Sequence, residues 1–202
     1  MLSAWDEYAR RTIRDAPLAP FSWTPYAGHG PGLELLDITA GQTVLDLGCG
    51  QGDRLAHCAK LGVRAVGVDA SAVQVDAASA RWGSAINVHH ANAVAWLDTT
   101  AETYEAVFSV FGAHWFTNPS VLLPAVRRRL REGGVLLLAH LPPGRHPEGS
   151  AIGPTRSVLR WEGEAYQWAD DLTSCGFHQP SAQTIGAPRG SALDTVLLRA
   201  WG

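Results

Sequence analysis

The stretch that most constrains this chain is Val44-Leu45-Asp46-Leu47-Gly48-Cys49-Gly50-Gln51-Gly52-Asp53. A short apolar run ends beside an acid, and glycine then stands at alternate positions 48, 50 and 52. The helix-like segment 53–61 follows. Strand, glycine loop and helix start form the layout that cradles nucleotide-like ligands. Glycine serves there because the backbone must adopt positive φ or approach a ligand closely. The loop N–H groups and the helix start favour an anionic group. A plain glycine-rich βα turn has the same local look, so the rest of the chain has to decide between them.

The remaining pattern is an alternation of strands and helices. Strands are predicted at 43–47, 64–68, 86–90, 106–110 and 135–139. Helices are predicted at 53–61, at 72–82 capped by Ser71, as one turn at 93–96, and at 119–131 with Pro119 in the first turn, where proline is tolerated. Gly133-Gly134 is read as the stop before the strand at 135–139. Such alternation requires a parallel sheet with helices on both faces. The end departs from it. A Pro- and Gly-rich loop at 142–154 leads to a helix over 161–175, stopped by Gly176. Two β-like runs, 178–185 and 193–200, follow with a short link that permits only antiparallel neighbours. Before the first strand, residues 3–14 read as an amphipathic helix with Ser3 as N-cap, and 32–38 as a short helix. Residues 15–32 are loop-like, yet Phe21, Trp23, Tyr26 and His29 within them predict packing onto the domain.

Composition narrows the class. At 202 residues, 46% hydrophobic and 17% charged, the chain suits one globular domain, 1–202, with an N-terminal helix and aromatic cover at 1–32 and a Rossmann-like core at 33–202. A net charge of −3 points to no polyanionic partner. The arginine run Arg127, Arg128, Arg129, Arg131 falls at a helix end, where cations suit the dipole. No apolar run reaches the roughly 18 residues of a membrane span, and residues 1–14 do not read as a signal peptide. The three cysteines show no CxxC and no metal spacing, which suits a reducing cytoplasm. No metal is expected; His89-His90 has no partners at ligand spacing.

Asp69 ends the second strand nineteen residues past Gly50, where α/β folds place a carboxylate for ribose hydroxyls. A dinucleotide loop would carry a third glycine at position 53, which is Asp here, and would have to admit a pyrophosphate beside acidic Asp46. Asp46 suits a ligand with an ammonium group. No G-x-x-x-x-G-K-[ST] occurs. Four blocks in order then resemble the class I S-adenosylmethionine-dependent methyltransferases, of the small-molecule type seen in quinone and natural-product methylation. They are the run 44–52, Val66-Gly67-Val68-Asp69-Ala70-Ser71, the Phe108-to-Phe116 run Phe-Ser-Val-Phe-Gly-Ala-His-Trp-Phe, and the 129–136 run Arg-Leu-Arg-Glu-Gly-Gly-Val-Leu. The likeness covers residues 34–140 well and the C-terminal hairpin loosely. It implies a seven-stranded sheet of order 3-2-1-4-5-7-6 and S-adenosylmethionine as cofactor, with S-adenosylhomocysteine as product. It implies cofactor contacts at Asp46, Gly48, Cys49, Gly50, Gly52, Asp69, Ala70, Asn92, Ala93, Ser109 and Val110; Tyr8 from the cover and the Gly-flanked His29, which equally suits a surface turn, are the candidates to close over the cofactor. Where relatives often have Asp after the third strand, this chain has Asn92, whose side-chain oxygen is expected to accept the adenine amine.

On the acceptor side, ligands sit outside the carboxyl ends of the strands. His114, after strand four, and His140, ending strand five, are therefore the candidate general bases, each with a purely structural alternative. Trp5, Tyr8, Trp23, Phe111, Trp115 and Trp161 are candidates for an aromatic pocket or for packing. Cys49 reads as a small filler. The partner expected is a small organic acceptor, with segments 15–32 and 141–165 setting its choice. A non-methylating enzyme such as a cyclase, or a cofactor sensor, remains the alternative on the same fold.

Overall fold

The computed structural model describes residues 3–144 and 159–202. Much of the 142–154 loop and of the 141–165 segment expected to choose the acceptor therefore lies outside the described residues. One sheet organises the rest. Its strands are β1 (Thr43–Leu47), β2 (Arg64–Asp69), β3 (Asn87–His90), β4 (Tyr104–Val110), β5 (Leu130–His140), β6 (His178–Ile185) and β7 (Thr195–Trp201), in the order β3-β2-β1-β4-β5-β7-β6. The first five are parallel, and β7 runs antiparallel to both β5 and β6. The order reverses between β1 and β4, so the carboxyl ends of β1, β2 and β4 flank a crevice, the position where open α/β sheets bind ligands.

The helices are α1 (Ala4–Thr12), α2 (Asp53–Ala59), α3 (Ala72–Trp82), α4 (Ala93–Thr99), α5 (Ala113–Phe116), α6 (Pro119–Arg129) and α7 (Ala165–Ser174). One sheet face buries Leu45, Leu47, Leu136 and Leu138 against Leu97 of α4, Leu122 and Val126 of α6 and Trp168 of α7. The other face buries Val44, Phe108 and Leu137 against Leu55 and Cys58 of α2, Ala78 of α3 and the loop residue Trp23. The predicted caps form. The Ser71 side chain accepts from Gln74 N, and Ser3 and Asp6 make a reciprocal capping box on α1.

Two departures have physical causes. β5 begins at Leu130, directly after α6, so Gly133-Gly134 is not a stop. The pair lies in the strand beside a register shift between Tyr104 and Ala106. Gly133 has φ 72°, and a side chain on Gly134 would meet Glu105 O at 2.9 Å. The glycines thus bend a strand rather than end a helix. Residues 15–32 do pack on the domain, but not over the crevice. Trp23 is fully buried under the sheet, edge-on to Phe108 at 5.8 Å, and donates Nε1–H to Gly32 O at 2.8 Å. The short helix expected over 32–38 is a 3-10 turn, Leu33–Leu36.

Candidate active site

The glycine loop is held by backbone before any ligand arrives. Gly48 N and Cys49 N both donate to Val68 O, at 2.8 and 3.1 Å, tying the end of β1 to the end of β2. Gly48 has φ 83°, and a Cβ there would lie 2.5 Å from Ala113 N and 2.8 Å from Gly112 Cα. No other residue fits between the two loops. Gly52 holds φ 75°, a left-handed conformation that favours glycine, packs toward the Ile86 side chain at the entry to β3 and does not line the cavity. The opposing loop is fixed by Ser109, whose Oγ donates to Leu47 O at 2.5 Å and accepts from His114 N at 3.4 Å. Ser109 is fully buried, which corrects the expected ligand contact: it spaces the β1 and β4 loops from behind.

Between these loops lies a cavity of about 400 Å³ that runs from β3 past β2 and β1 to β4. Tyr8, Gly48, Cys49, Gly50, Asp69, Ala70, Asn92, Ala93 and Val110 line it, among the residues expected from sequence. Asp69 is the hinge of its polar wall. Its Oδ2 accepts from Gly50 N and its Oδ1 from Ser71 N, each at 2.9 Å. A carboxylate oxygen has two lone pairs, so each can still accept from a diol. Burial pushes the Asp69 carboxyl up, against the lowering effect of those two backbone bonds. Burial likewise pushes the Cys49 thiol well up, so it stays protonated and acts as filler.

Asn92 lines the cavity in a different role from the one expected. It is the N-cap of α4, and Oδ1 accepts from Val94 N at 3.0 Å and Ala95 N at 3.2 Å. With both lone pairs engaged, the oxygen has no place for an adenine amine. The Asn92 NH₂ is what remains for a ligand, as a donor.

Asp46, His29, His114 and His140 do not line the cavity. Asp46 is 2% exposed behind the loop, and burial raises its carboxyl to about 7, with Arg54 pulling down and Asp69 pushing up. His29 is tied by Nε2 to Gly186 O at 2.7 Å, in the β6–β7 connection, because its loop runs along the far sheet face. His114 and His140 are fully buried with ring centroids 5.5 Å apart, both against Trp168 of α7. His140 Nδ1 bonds Leu141 O at 2.7 Å, which makes Nδ1 the protonated nitrogen. Burial drives both imidazoles to lower proton affinity. They are interior groups behind the cavity wall, not bases facing a ligand.

Sequence reasoning missed several lining residues: Thr12, Gln51, Arg54, Gln74, Phe116 and Thr117. Trp5 and Phe111 do line the cavity, whereas Trp23 and Trp115 do not. Phe111 has φ 51°, a strained conformation for an aromatic residue, and that turn aims the chain into α5. α1 closes the mouth. Asp6 Oδ1 accepts from Ser71 Oγ at 2.7 Å, and Trp5 meets Phe116 edge-on at 4.7 Å. Gln51 clamps the chain beyond α1 through Arg14 N and Arg14 O, at 3.0 and 3.1 Å.

This sheet order, the left-handed glycine loop, the acid ending β2 and the cavity across the strand ends define a Rossmann-like protein built for a nucleoside-bearing ligand. Residues 44–134 match the methyltransferase domain family. A ubiquinone biosynthesis O-methyltransferase of Mesorhizobium japonicum is 28% identical over 151 residues, 74% of this chain and 57% of that protein. The chain thus spans between half and three fifths of the length of the curated relatives it matches. Among solved structures, Haemonchus contortus phosphoethanolamine N-methyltransferase 2, in complex with S-adenosyl-L-methionine, superposes with a TM-score of 0.65 at 14% identity, covering 83% of this chain and 50% of that one. The [4+2]-cyclase SpnF does so with a TM-score of 0.61 at 16% identity, covering 83% and 78%. The chain is similar to these methyltransferases in its Rossmann-like core, with the methyltransferase-domain match confined to residues 44–134.

Proposed function

We propose that the protein transfers a methyl group from S-adenosylmethionine to an O, N or C centre of a small organic molecule. The observation that carries this reading is the paired geometry of Asp69 and the glycine loop. One carboxylate braces Gly50 and Ser71 while facing the cavity, which fits a ribose diol seated on a backbone cradle. Gly48, with no room for a Cβ, leaves the cradle flat enough for close approach. When bound, the cofactor supplies an electrophilic methyl on a sulfonium.

The chain's own work is positioning and exclusion of water. Gly48, Gly50, Asp69 and Ala70 would hold the cofactor, which would supply the methyl group to an acceptor seated beside them. Trp5, Phe111 and Phe116 wall the cavity on the β4 side, where the acceptor would align. α1 excludes solvent through the Asp6–Ser71 and Gln51–Arg14 bonds. With His114 and His140 behind the wall, the preferred acceptor is one that reaches the cavity already nucleophilic. Quinone or natural-product methylation in the cytoplasm is the setting we favour, supported by the names of the relatives and by three unpaired cysteines. Among the described residues, no helix is long and apolar enough to cross a membrane.

The test is calorimetry with S-adenosylhomocysteine, expected to bind in the micromolar range, about 8 kcal/mol, followed by turnover with a panel of phenols and amines. NAD binding more tightly than S-adenosylhomocysteine overturns the reading. Tight binding with no product from any acceptor moves the protein to the cyclase or sensor alternative.

A further inference from the structure

The β3 end of the cavity carries a polar side chain with an unusual commitment. Ala70, Ala91, Asn92 and Ala93 line the cavity there, and of these only Asn92 has a side chain able to hydrogen-bond. They adjoin Asp69, because Ala91 N donates to Asp69 O at 3.0 Å and Asp69 pairs with His90 across β2 and β3. The Ser71 hydroxyl beside them is already engaged: it donates to Asp6 Oδ1 at 2.7 Å and accepts from Gln74 N at 3.3 Å.

The capping bonds fix which way the Asn92 amide faces. Oδ1 accepts from Val94 N at 3.0 Å and from Ala95 N at 3.2 Å. Turning the amide over would set its NH₂, a donor, against two N–H donors. The oxygen therefore belongs to α4. Among the described residues no hydrogen bond takes up the NH₂. The one side-chain group offered to a ligand at this end is a donor.

A purine answers a donor in either of two forms. Adenine offers N1 or N7 as acceptor, and its 6-amino group, itself a donor, finds no side-chain acceptor here. Hypoxanthine has nearly the same size and offers O6 or N7. One NH₂ serves both bases. A site that rejects an analogue strongly does so because its own polar group is left unpaired by it. Asn92 is left unpaired by neither.

We propose that Asn92 makes the base end of the site indifferent to the 6-amino group, so that the protein binds 6-oxopurine nucleoside thioethers as well as adenosine ones. The proposal rests on the methyltransferase reading above, with the ribose at Asp69 and the base toward β3. It gives Asn92 a part in the choice of ligand and none in the chemical step.

S-adenosylhomocysteine and S-inosylhomocysteine, which differ only at the C6 edge of the base, provide the test. Both are titrated by calorimetry into wild type, Asn92→Asp and Asn92→Ser, with thermal melts alongside. Wild type is expected to bind the two within about threefold, the low end of what one neutral hydrogen bond contributes. Asn92→Asp keeps the cap on one oxygen and offers the other to the amine. It should move the ratio toward S-adenosylhomocysteine by about tenfold, the low end for a hydrogen bond to a charged group. Asn92→Ser keeps a cap but removes the NH₂, and both ligands lose the same donor, so its ratio should stay within about threefold while both affinities fall several-fold. A purely capping role would leave the ratio unmoved in Asn92→Asp. Should that variant fail to fold, wild type and Asn92→Ser carry the test. Wild type favouring S-adenosylhomocysteine by about tenfold or more, an unmoved ratio in folded Asn92→Asp, or unchanged affinities in Asn92→Ser overturns the assignment and leaves the methyltransferase reading intact. Wild type that binds neither thioether overturns both.

Discussion

Replacing Asp46 by Asn should change how stability depends on pH, and the structure sets the sign and size. Asp46 is 2% exposed near the end of β1, and burial lifts its carboxyl from 3.8 to about 7. Between those values the folded protein holds a proton that the unfolded chain releases. Stability is therefore lost as pH rises from about 4 to about 7, and the loss levels off above it. Each tenfold change in proton affinity is worth about 1.4 kcal/mol, so the full effect approaches about 4 kcal/mol, a large part of a typical domain's roughly 5–15 kcal/mol. His114 and His140 act in the opposite direction. Their lowered proton affinity means that the unfolded chain binds protons they refuse, so their effect on stability improves toward about pH 6.5 and above. The slope of wild type alone therefore mixes the two. The difference between wild type and Asp46→Asn isolates the carboxyl, because an amide keeps its shape without a titrating proton. Urea unfolding at half-unit steps from about pH 4.5 to 8.5 should show the Asp46→Asn protein gaining on wild type through about pH 7 and then holding a constant lead. Parallel curves for the two proteins, or a lead that shrinks with rising pH, would mean Asp46 ionises in the fold like an exposed carboxylate, and the account of its burial would be wrong.

Two other outcomes follow from the cavity wall. Asp69→Ala removes the acceptor for Gly50 N and Ser71 N as well as the one for a ribose diol, so it should both lower the melting temperature and weaken S-adenosylhomocysteine by about 100-fold; unchanged affinity by calorimetry removes Asp69 from the site. Asp6→Ala breaks the α1 capping box and the bond to Ser71, at about 1 kcal/mol of local stability, and should speed amide exchange over residues 4–12 and cofactor release, whereas an unchanged exchange pattern would show that α1 docks through Trp5 and Phe116 alone.

The parts of this fold legible in the sequence are those where the local chemistry admits one answer. Gly48 and Asp69 flank a strand–loop–helix signature whose backbone needs no distant information, and both line the cavity. The 3-2-1-4-5-7-6 sheet is readable through the family resemblance, with the alternation of strands and helices supporting its parallel part. The errors arise where a side chain's direction is set by parity or by a competing partner. His140 ends β5 close to the crevice, but Leu136, Leu138 and His140 share one strand face, and Leu136 and Leu138 belong to the core beneath Trp168. Every residue from Val135 to His140 is buried, on both faces of β5, so a continuous apolar run signals burial for that imidazole, and its position at the strand end is the weaker guide. Asn92 is the converse case. Its carboxamide is the natural cap for the helix that starts at Ala93, and a cap consumes the same oxygen that an adenine contact would need. Arg54 has no comparable signal. On α2, Leu55 and Cys58 face the core, while Arg54 and His57, also three apart, face residues 19–22. Its bond to Ser22 O joins α2 to the loop at 19–27, and Asp53 turns to Arg81 on α3, contacts that the spacing of the helix does not encode.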